Sequence, residues 1–423
     1  MRRRPAGSPY DVVVVGLGLA GLVAALAAAR RGARTLAVGR GHGTLRFRPG
    51  AIDVLGFQDG RFVASPAAAL AALAETAPGH PYALASGDLG PGVAAVRGAA
   101  AAAGLDLDGS LEQNQLIATA AGTLRPACLV PGAMRAEWRG ARVLVVGLAG
   151  YRDFQAELVS SVLPASAERY GIELIAHPET IDVPSLRRRH LGGQELARAF
   201  DRPDVRREVV AAVRGSLTGV SMVALPAVLG LEGAAEAADD LAGGLGVPVV
   251  ELATVPPSVP GLRLERALAA ALRGASGVLQ VGPRVRLLAD AGRVAGVELE
   301  APGRPLRVPA RTVVLATGGL ASGGLEVTLD GAVRETVADL PVSAPDPAAL
   351  FGRTLFEPGG HPVARAGLRV DAGMRPLGTG GEPVYGNLFA TGGVLAGADR
   401  AIERSADGIC CATGWRAGSG AAA

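Results

Sequence analysis

Six residues near the start of the chain have the types and the spacing that bind phosphate groups. The pattern G-x-G-x-x-G is formed by Gly16, Leu17, Gly18, Leu19, Ala20 and Gly21. Its first glycine allows a tight turn, its second lets backbone N–H groups approach a phosphate, and its third permits close helix–strand packing. The positive end of the following helix then holds the phosphate. The segment therefore predicts a site for a phosphate-bearing cofactor.

The elements on either side position this glycine loop. Asp11–Val15 is a β-branched run, as expected of a strand buried on both faces. A helix is predicted over Leu22–Arg31, with Gly32 as its C-terminal cap, and a second strand over Arg34–Val38. A dinucleotide site would next have Asp or Glu for the ribose, but Gly39-Arg40 stands there. Either the ribose is held differently or the ligand is not a full adenine dinucleotide, and Arg40 favours a nearby phosphate.

Two late segments favour flavin over NAD as the cofactor. Residues 311–319 and 386–393 each read as a strand that runs into a Thr-Gly-Gly turn. In flavoproteins with two dinucleotide-type folds, such strands return beside the N-terminal unit, and the last turn abuts the isoalloxazine ring. Residues 367–371 resemble the substrate-side strand of the same class. The candidate cofactor-binding residues in the two turns are Thr317, Gly318, Gly392 and Gly393.

The middle of the chain predicts an inserted domain. Strands are expected within 141–147, 219–226 and 247–253, separated by alanine-rich helices, and a hairpin over 284–288 and 293–300. The fold class is α/β: a Rossmann-like two-dinucleotide-binding flavoprotein fold with an inserted α/β domain. Its predicted limits are 1–70 plus 276–423 for the flavin domain and 71–275 for the insertion. A second nucleotide site at Gly147–Gly150 is an alternative, but its glycine pattern is incomplete.

Composition excludes several kinds of chemistry. All 42 basic residues are arginine, so Schiff-base and Walker-lysine chemistry are excluded. The net charge is only +3 and the aromatic content 4%, so no nucleic-acid partner is predicted. The three cysteines form no C-x-x-C, and no metal site is predicted. The arginine run at 187–189 is a candidate patch for an acidic partner or lipid head groups. The longest uncharged run, 215–231, is predicted to be a buried strand with its flanking turn rather than a membrane span.

Several interior segments resemble one family. They are Phe47–Asp53, His80-Pro-Tyr82, Gly122–Arg125, Val146–Gln155 and Thr254–Leu264, in which a proline pair precedes an arginine. The chain is similar over nearly its whole length to the B subunit of anaerobic glycerol-3-phosphate dehydrogenase. It differs from the family pattern at residues 403–407, where the family is richer in glycine.

The resemblance implies a flavin-dependent subunit that oxidises sn-glycerol 3-phosphate to dihydroxyacetone phosphate and passes electrons to the quinone pool. The implied partners are an iron–sulfur C subunit, which docks on the membrane, and the catalytic A subunit. The implied cofactor is FMN, with FAD as the alternative, since a G-x-G-x-x-G turn more commonly holds the pyrophosphate of FAD. The implied location is cytoplasmic, with peripheral attachment to the inner face of the membrane through a partner.

Such an oxidation needs a base for the hydroxyl proton and cations for the phosphate. The candidate bases are His42, on the loop after the second strand, and His361, before the segment 367–371. Arg46, Arg48 and Arg263 are the candidate phosphate ligands, and Arg46 and Arg263 complete the predicted catalytic set. Three alternatives stay open: an electron-transfer or docking subunit whose partner oxidises the substrate, a fumarate-reductase-like enzyme, and a scaffold without cofactor.

Overall fold

The structure is a computed structural model that describes residues 9–187 and 191–423. Most of the candidate patch at 187–189 lies outside the described residues, as do the arginine run Arg2–Arg4 and His190. Everything below concerns the described residues.

The strands are β1 (Tyr10–Val15), β2 (Thr35–Gly39), β3 (Phe57–Gln58), β4 (Arg61–Phe62), β5 (Leu107–Gly109), β6 (Gln115–Ala118), β7 (Leu124–Ala127), β8 (Leu129–Pro131), β9 (Arg142–Leu148), β10 (Ile175–Ile181), β11 (Met222–Pro226), β12 (Val249–Leu252), β13 (Val278–Val281), β14 (Val285–Asp290), β15 (Arg293–Leu299), β16 (Leu306–Leu315), β17 (Leu325–Val327), β18 (Val333–Glu335) and β19 (Leu388–Ala390). The α-helices are α1 (Leu19–Arg30), α2 (Pro66–Thr76), α3 (Pro81–Ala85), α4 (Leu89–Ala102), α5 (Ala156–Glu168), α6 (Gly193–Phe200), α7 (Pro203–Val213), α8 (Ala234–Leu245), α9 (Val259–Gly274), α10 (Arg400–Glu403) and α11 (Ala406–Ala421).

The described residues form two compact units. Unit 1 contains the described part of Met1–Thr44, with Asp53–Ala99 and Ala267–Ala423. Unit 2 contains Leu45–Ile52 and Ala100–Arg266. The limits that we predict from the sequence, 1–70 with 276–423 and 71–275, stay a prediction.

Unit 1 is built on a seven-stranded sheet in the order β13-β2-β1-β16-β15-β14, with β19 also paired to β16. β1 lies parallel to both β2 and β16, and its Val12–Val15 run is at most 4% exposed, as the apolar sequence predicts. β14 and β15 form the predicted antiparallel hairpin, and β15 also pairs antiparallel with β16. The Rossmann-like α/β sheet is therefore confirmed, whereas the edge strand β13 was not predicted.

Unit 2 is built on a four-stranded parallel sheet in the order β10-β9-β11-β12. The three predicted strands of the insertion correspond to β9, β11 and β12. The uncharged run 215–231 contains β11, whose five residues are all buried. The sheet and its helices enclose a large apolar cluster, to which Val143, Phe200 and Val223 contribute fully buried side chains. This unit is thus an α/β unit with its own core.

Helix α11 holds α1 in place through glycine contacts. A Cβ atom added to Gly418 would lie 2.1 Å from the carbonyl oxygen of Ala24, and one added to Gly414 would lie 2.7 Å from that of Ala20. Both distances are below van der Waals contact, so the two helix backbones touch only because these residues are glycine. The position of α1, which carries the glycine loop at its N-terminus, therefore depends on the last described helix.

We expect Gly418→Ala to lower the free energy of unfolding by about 1–3 kcal/mol, because the added methyl group forces the two helices apart. The matched control is Gly98→Ala on the exposed side of α4. There no heavy atom of the described residues, the helix's own backbone aside, lies within 4 Å of the new Cβ. This control is expected to stabilise the chain by about 0.5–1 kcal/mol. Urea denaturation of both variants tests the contact, and equal effects of the two changes would contradict it.

Candidate functional site

The glycine loop between β1 and α1 packs tightly on one side and faces open space on the other. Gly16 has a φ of +122°, and a Cβ there would lie 2.1 Å from the carbonyl oxygen of Ala316. A Cβ on Gly21 would lie 2.0 Å from the Gly16 carbonyl oxygen. At Gly18, by contrast, nothing in the described part of the chain comes within 4 Å of that position, adjacent residues aside. Gly18 is thus the position where a ligand phosphate can approach the backbone.

The two Thr-Gly-Gly turns meet each other and the glycine loop. A Cβ on Gly393 would lie 3.0 Å from the backbone nitrogen of Gly319 and 3.2 Å from the Cα of Gly318. A Cβ on Gly392, whose φ is +73°, would lie 2.5 Å from the Cβ of Ala20 on α1. The structure therefore brings together Gly16–Gly21, Thr317, Gly318, Gly392 and Gly393, which the sequence names as cofactor-binding residues.

Hydroxyl groups fix the second of these turns. The hydroxyl oxygens of Thr391 and Thr413 lie 2.8 Å apart, both side chains are fully buried, and the Thr413 hydroxyl accepts the Gly392 N–H at 3.0 Å. Thr413 lies on α11, and no sequence pattern pointed to it. In the first turn, the buried hydroxyl oxygen of Thr317 has no hydrogen-bond partner among residues 9–187 and 191–423. A ligand between the turns could therefore use the Thr317 hydroxyl.

The loop after β2 lies against the glycine loop. A Cβ on Gly43, whose φ is +71°, would lie 2.5 Å from the Cα of Gly18. Arg40 and His42 are both exposed on this loop. The loop that carries them meets Gly18 at Gly43, which is compatible with the roles predicted for them, a phosphate contact for Arg40 and a base for His42. Both roles stay predictions.

His361 does not occupy the position of a base that is available to a substrate. Its Nδ1 accepts the Gly352 N–H at 3.1 Å, so its Nε2 donates to the Leu355 carbonyl at 3.2 Å. Both ring nitrogens therefore hold the chain's own loop at 352–361. The predicted role of His361 as a catalytic base finds no support in these contacts.

Arg46 and Arg263 belong to unit 2 and both form ion pairs there. Arg46 donates from Nε and Nη2 to the two carboxylate oxygens of Glu265, at 2.6 and 3.0 Å. Arg263 is 5% exposed and donates to Glu251, which is fully buried, and to the carbonyls of Leu229 and Gly230. Because protein groups already use these donors, the contacts favour a structural role over the predicted binding of a substrate phosphate.

The residues after the last turn form a charged cluster that the sequence patterns do not reveal. Arg400 donates to the Leu395 carbonyl and lies 3.5 Å from the Gly392 carbonyl oxygen. Burial lowers the pKa of Arg400, and nearby acidic groups partly offset this effect. Glu403 lies 3.1 Å from His80 Nε2 and accepts from the Ser405 hydroxyl. The sequence gives no sign of these pairings, because His80 is more than 300 residues away from Glu403.

Glu403 makes the stability of unit 1 depend on pH. Burial raises the pKa of Glu403, but hydrogen bonds from His80 and Ser405 outweigh it and hold that pKa below its ordinary 4.5. A carboxylate whose pKa is lowered by folding stabilises the fold above its unfolded-state pKa, and this stabilisation is lost as the pH falls through the lowered value. We expect Glu403→Gln to lower the free energy of unfolding by about 1–3 kcal/mol at pH 7. Below pH 4.5 the free energies of unfolding of the variant and of wild type should become more similar.

Denaturation curves at several pH values measure that difference. The control is Glu382→Gln, a change at an exposed residue of the same unit, which should stay within about 0.5 kcal/mol of wild type. A Glu403→Gln penalty that is the same at pH 3.5 and pH 7 would show that the hydrogen bonds of Glu403 do not depend on its charge.

The geometry fits a flavin nucleotide. The helix N-terminus with an open Gly18 suits a phosphate, and the paired turns with the Thr317 hydroxyl suit a polar ring system. A family model described as "FAD binding domain" matches residues 11–409. Fold and site together therefore define the class as a flavoprotein with an FAD-binding-type domain.

The similarity to named proteins is more specific. The B subunit of the anaerobic glycerol-3-phosphate dehydrogenase of Yersinia pseudotuberculosis is 34% identical over 406 residues, which cover 92% of each chain. A probable B subunit of the same kind from Halobacterium salinarum is 34% identical over 430 residues, or 97% of each chain. This chain belongs to the family of the anaerobic glycerol-3-phosphate dehydrogenase B subunits, and the resemblance stated from the sequence is confirmed.

Among solved structures, the open conformation of a flavocytochrome c3 fumarate reductase is similar with a TM-score of 0.45 and 12% identity. The match covers 98% of this chain and 78% of that one. A 3-ketosteroid-delta4-(5alpha)-dehydrogenase from Rhodococcus jostii RHA1 matches with a TM-score of 0.37 and 15% identity, covering 99% and 97% of the two chains. Likenesses at this level carry no argument about the reaction.

Proposed function

We propose that this chain is the flavin-dependent subunit of an anaerobic glycerol-3-phosphate dehydrogenase and takes part in oxidising sn-glycerol 3-phosphate to dihydroxyacetone phosphate. The observation that carries the proposal is the meeting of the glycine loop with both Thr-Gly-Gly turns in one unit. It occurs in a chain that is 34% identical, over nearly its whole length, to subunits of that name.

The cofactor in this proposal is FAD, which corrects our expectation of FMN. The family model is described as FAD-binding and matches residues 11–409, and nothing supports FMN over FAD. The G-x-G-x-x-G loop at the N-terminus of α1 is suited to a pyrophosphate, which FAD has and FMN lacks. Gly39-Arg40 would then hold the adenosine side without a ribose carboxylate. Releasing the chromophore of the purified chain and separating FMN from FAD by chromatography tests this, and FMN alone would overturn it.

The chain's own residues would divide the work of the reaction. When bound, the isoalloxazine ring supplies the acceptor for the hydride of the secondary alcohol. The N-terminus of α1 holds the cofactor phosphates, while the two Thr-Gly-Gly turns and the Thr317 hydroxyl orient the ring. His42, on the loop against Gly18, is our candidate for the base that takes the hydroxyl proton. Anaerobic addition of glycerol 3-phosphate to the assembled complex should bleach the flavin absorbance. An unbleached complex would contradict the proposal.

A second candidate function is electron transfer or docking, with the substrate oxidised on a partner subunit. The observation that favours it is the use of Arg46 and Arg263 in ion pairs with Glu265 and Glu251, which occupies two predicted phosphate ligands. If the isolated chain with its flavin is not bleached by glycerol 3-phosphate but the assembled complex is, this second function is correct. Bleaching of the isolated chain supports the first.

The proposed assembly contains an iron–sulfur C subunit, together with the catalytic A subunit, and its electrons reach the quinone pool. Its proposed location is the cytoplasmic face of the membrane, with attachment through a partner. Within the described part of the chain, no helix has the length and apolar character needed to cross a bilayer. Membrane fractionation of cells with and without the partners tests this attachment.

A further inference from the structure

One loop of unit 1 exposes large apolar side chains that its own fold does not need. Phe351 is 63% exposed, Leu355 80% and Phe356 90%. Single exposed apolar residues are ordinary, but three within six residues form a patch of the kind that marks an interaction site. None of them is used by the flavin site described above.

The loop holds these side chains in a fixed arrangement. His361 bonds the backbone at both Gly352 and Leu355, and its ring packs edge-on against Phe351 with centroids 5.9 Å apart. Glu357 accepts hydrogen bonds from the backbone and hydroxyl groups of Thr354. Because the loop is already ordered, covering its apolar side chains would cost little conformational entropy.

A small separate core anchors the loop. Leu350, Val363 and Ala366 are at most 5% exposed and pack together with Leu320 and Val333. Val333 lies on β18, so this core joins the loop to the β17–β18 hairpin. The apolar residues of this region therefore divide into a buried set that anchors the loop and an exposed set, in which Phe351 also contacts the His361 ring.

The loop also adjoins the segment that carries the last flavin turn. A Cβ on Gly360 would lie 3.1 Å from the Cγ1 of Ile402 and would overlap a carboxylate oxygen of Asp399. Ile402 is itself 38% exposed on α10, and the neighbouring Arg400 contacts the carbonyls of Gly392 and Leu395. A protein bound to the loop would thus lie beside residues 392–402.

We infer that Phe351, Leu355, Phe356 and Ile402, the 351–402 surface, form the docking site for another protein subunit of the same dehydrogenase. The inference rests on the proposed function, since it names the surface through which this chain would join its complex. The relatives of the chain are themselves named as subunits. The partner surface that fits is an apolar groove with a polar rim.

Size and charge favour a protein partner over a lipid bilayer. At about 150–250 Å² for each large aromatic side chain, the surface offers on the order of 500 Å² of apolar area. That is more than half of the roughly 800 Å² that each partner contributes to a standard protein interface. The charges next to these residues in the chain are of both signs, with Arg353 and Glu357 in the loop and Arg400 and Glu403 on either side of Ile402, whereas membrane-binding surfaces are typically rimmed by several cations.

The test is the triple variant Phe351→Ser, Leu355→Ser, Phe356→Ser, co-expressed with the tagged partner subunits of the dehydrogenase. We expect co-purification of the chain to fall at least about tenfold, equivalent to ~1.4 kcal/mol or more in binding. Flavin content of the isolated variant should match wild type, and its thermal midpoint should fall only by the small contribution of the ring contact between Phe351 and His361, because these side chains are largely exposed. The matched control is Leu306→Ser, a change at a residue of β16 in the same unit that is 55% exposed. It should co-purify like wild type.

Each other outcome has a definite meaning. A triple variant that assembles like wild type, or a wild-type chain that does not co-purify with the partners, overturns the docking inference. If light scattering shows that the isolated wild-type chain dimerises and the triple variant does not, the surface binds a second copy instead. If only flotation with phosphatidylglycerol vesicles is lost, it binds lipid. The proposed function fails separately, through absence of flavin or through a wild-type complex that glycerol 3-phosphate does not bleach.

Discussion

Arg263→Met is expected to lower the free energy of unfolding by about 3–5 kcal/mol. The guanidinium group of Arg263 is the partner of the Glu251 carboxylate, at 3.0 Å, and Glu251 is fully buried. Removing the arginine leaves that carboxylate as an uncompensated charge in the core of unit 2. It also removes the donors to the carbonyls of Leu229 and Gly230. The loss should appear as an earlier unfolding transition in urea.

Two further variants separate this structural role from a role in substrate binding. Arg266→Met breaks the ion pair with Glu232, in which the arginine side chain is 45% and the glutamate side chain 77% exposed. It should lower the free energy of unfolding by less than about 1 kcal/mol. Arg263→Met combined with Glu251→Leu replaces both charges by apolar groups and should recover part of the loss. A single Arg263→Met variant with normal stability and a raised KM for glycerol 3-phosphate would instead support the phosphate role that the sequence predicts.

Gly18→Val is expected to weaken flavin binding by about 100-fold, equivalent to ~2.7 kcal/mol, while leaving the fold intact. Gly18 has a φ of −74°, which valine adopts without strain, and its Cβ would point into space that is open among the described residues. The new Cβ therefore meets no described protein atom, and we expect the added side chain to clash with the ligand phosphate. Flavin content after purification and a fluorescence titration with FAD measure the effect.

The matched control is Gly386→Val, which also meets no described atom within 4 Å but lies before β19, away from the glycine loop. It should retain flavin. Gly16→Ala should instead impair folding. Gly16 has a φ of +122°, and an added Cβ there would overlap the carbonyl oxygen of Ala316. Full flavin content in Gly18→Val would exclude this loop as the phosphate site.

The sequence predicted the elements whose local patterns are strong. The β-branched run of β1 and the glycine loop identify the first unit, and the apolar runs of β9, β11 and β12 identify the second. β10 and β13 were missed because most of their residues are exposed or half-buried. β10 contains Pro178 and has mostly exposed or half-buried residues, so neither apolar alternation nor a buried run marks it.

The backbone of the candidate site was easier to predict than its side-chain partners. Glycine turns act through the local chain, so the sequence shows them directly. The likeness to flavoproteins with two dinucleotide-type folds then predicted that the two Thr-Gly-Gly turns return to the first loop. The partners of Arg46, Arg263 and His361 depend on which distant atoms the fold places beside them. Glu265, for example, is 219 residues from Arg46, and nothing in the intervening sequence indicates the pair.

The contact between α1 and α11 also has a consequence for biosynthesis. Ala24 and Gly418 are separated by nearly 400 residues, so at about 5–20 residues per second Gly418 is made roughly 20–80 s after Ala24. Throughout that interval the side of α1 that packs on α11 lacks this partner, and Thr413 is not yet present to fix the Gly392 turn. The phosphate loop is thus made long before α11, and the site it belongs to is completed only when α11 has left the ribosome.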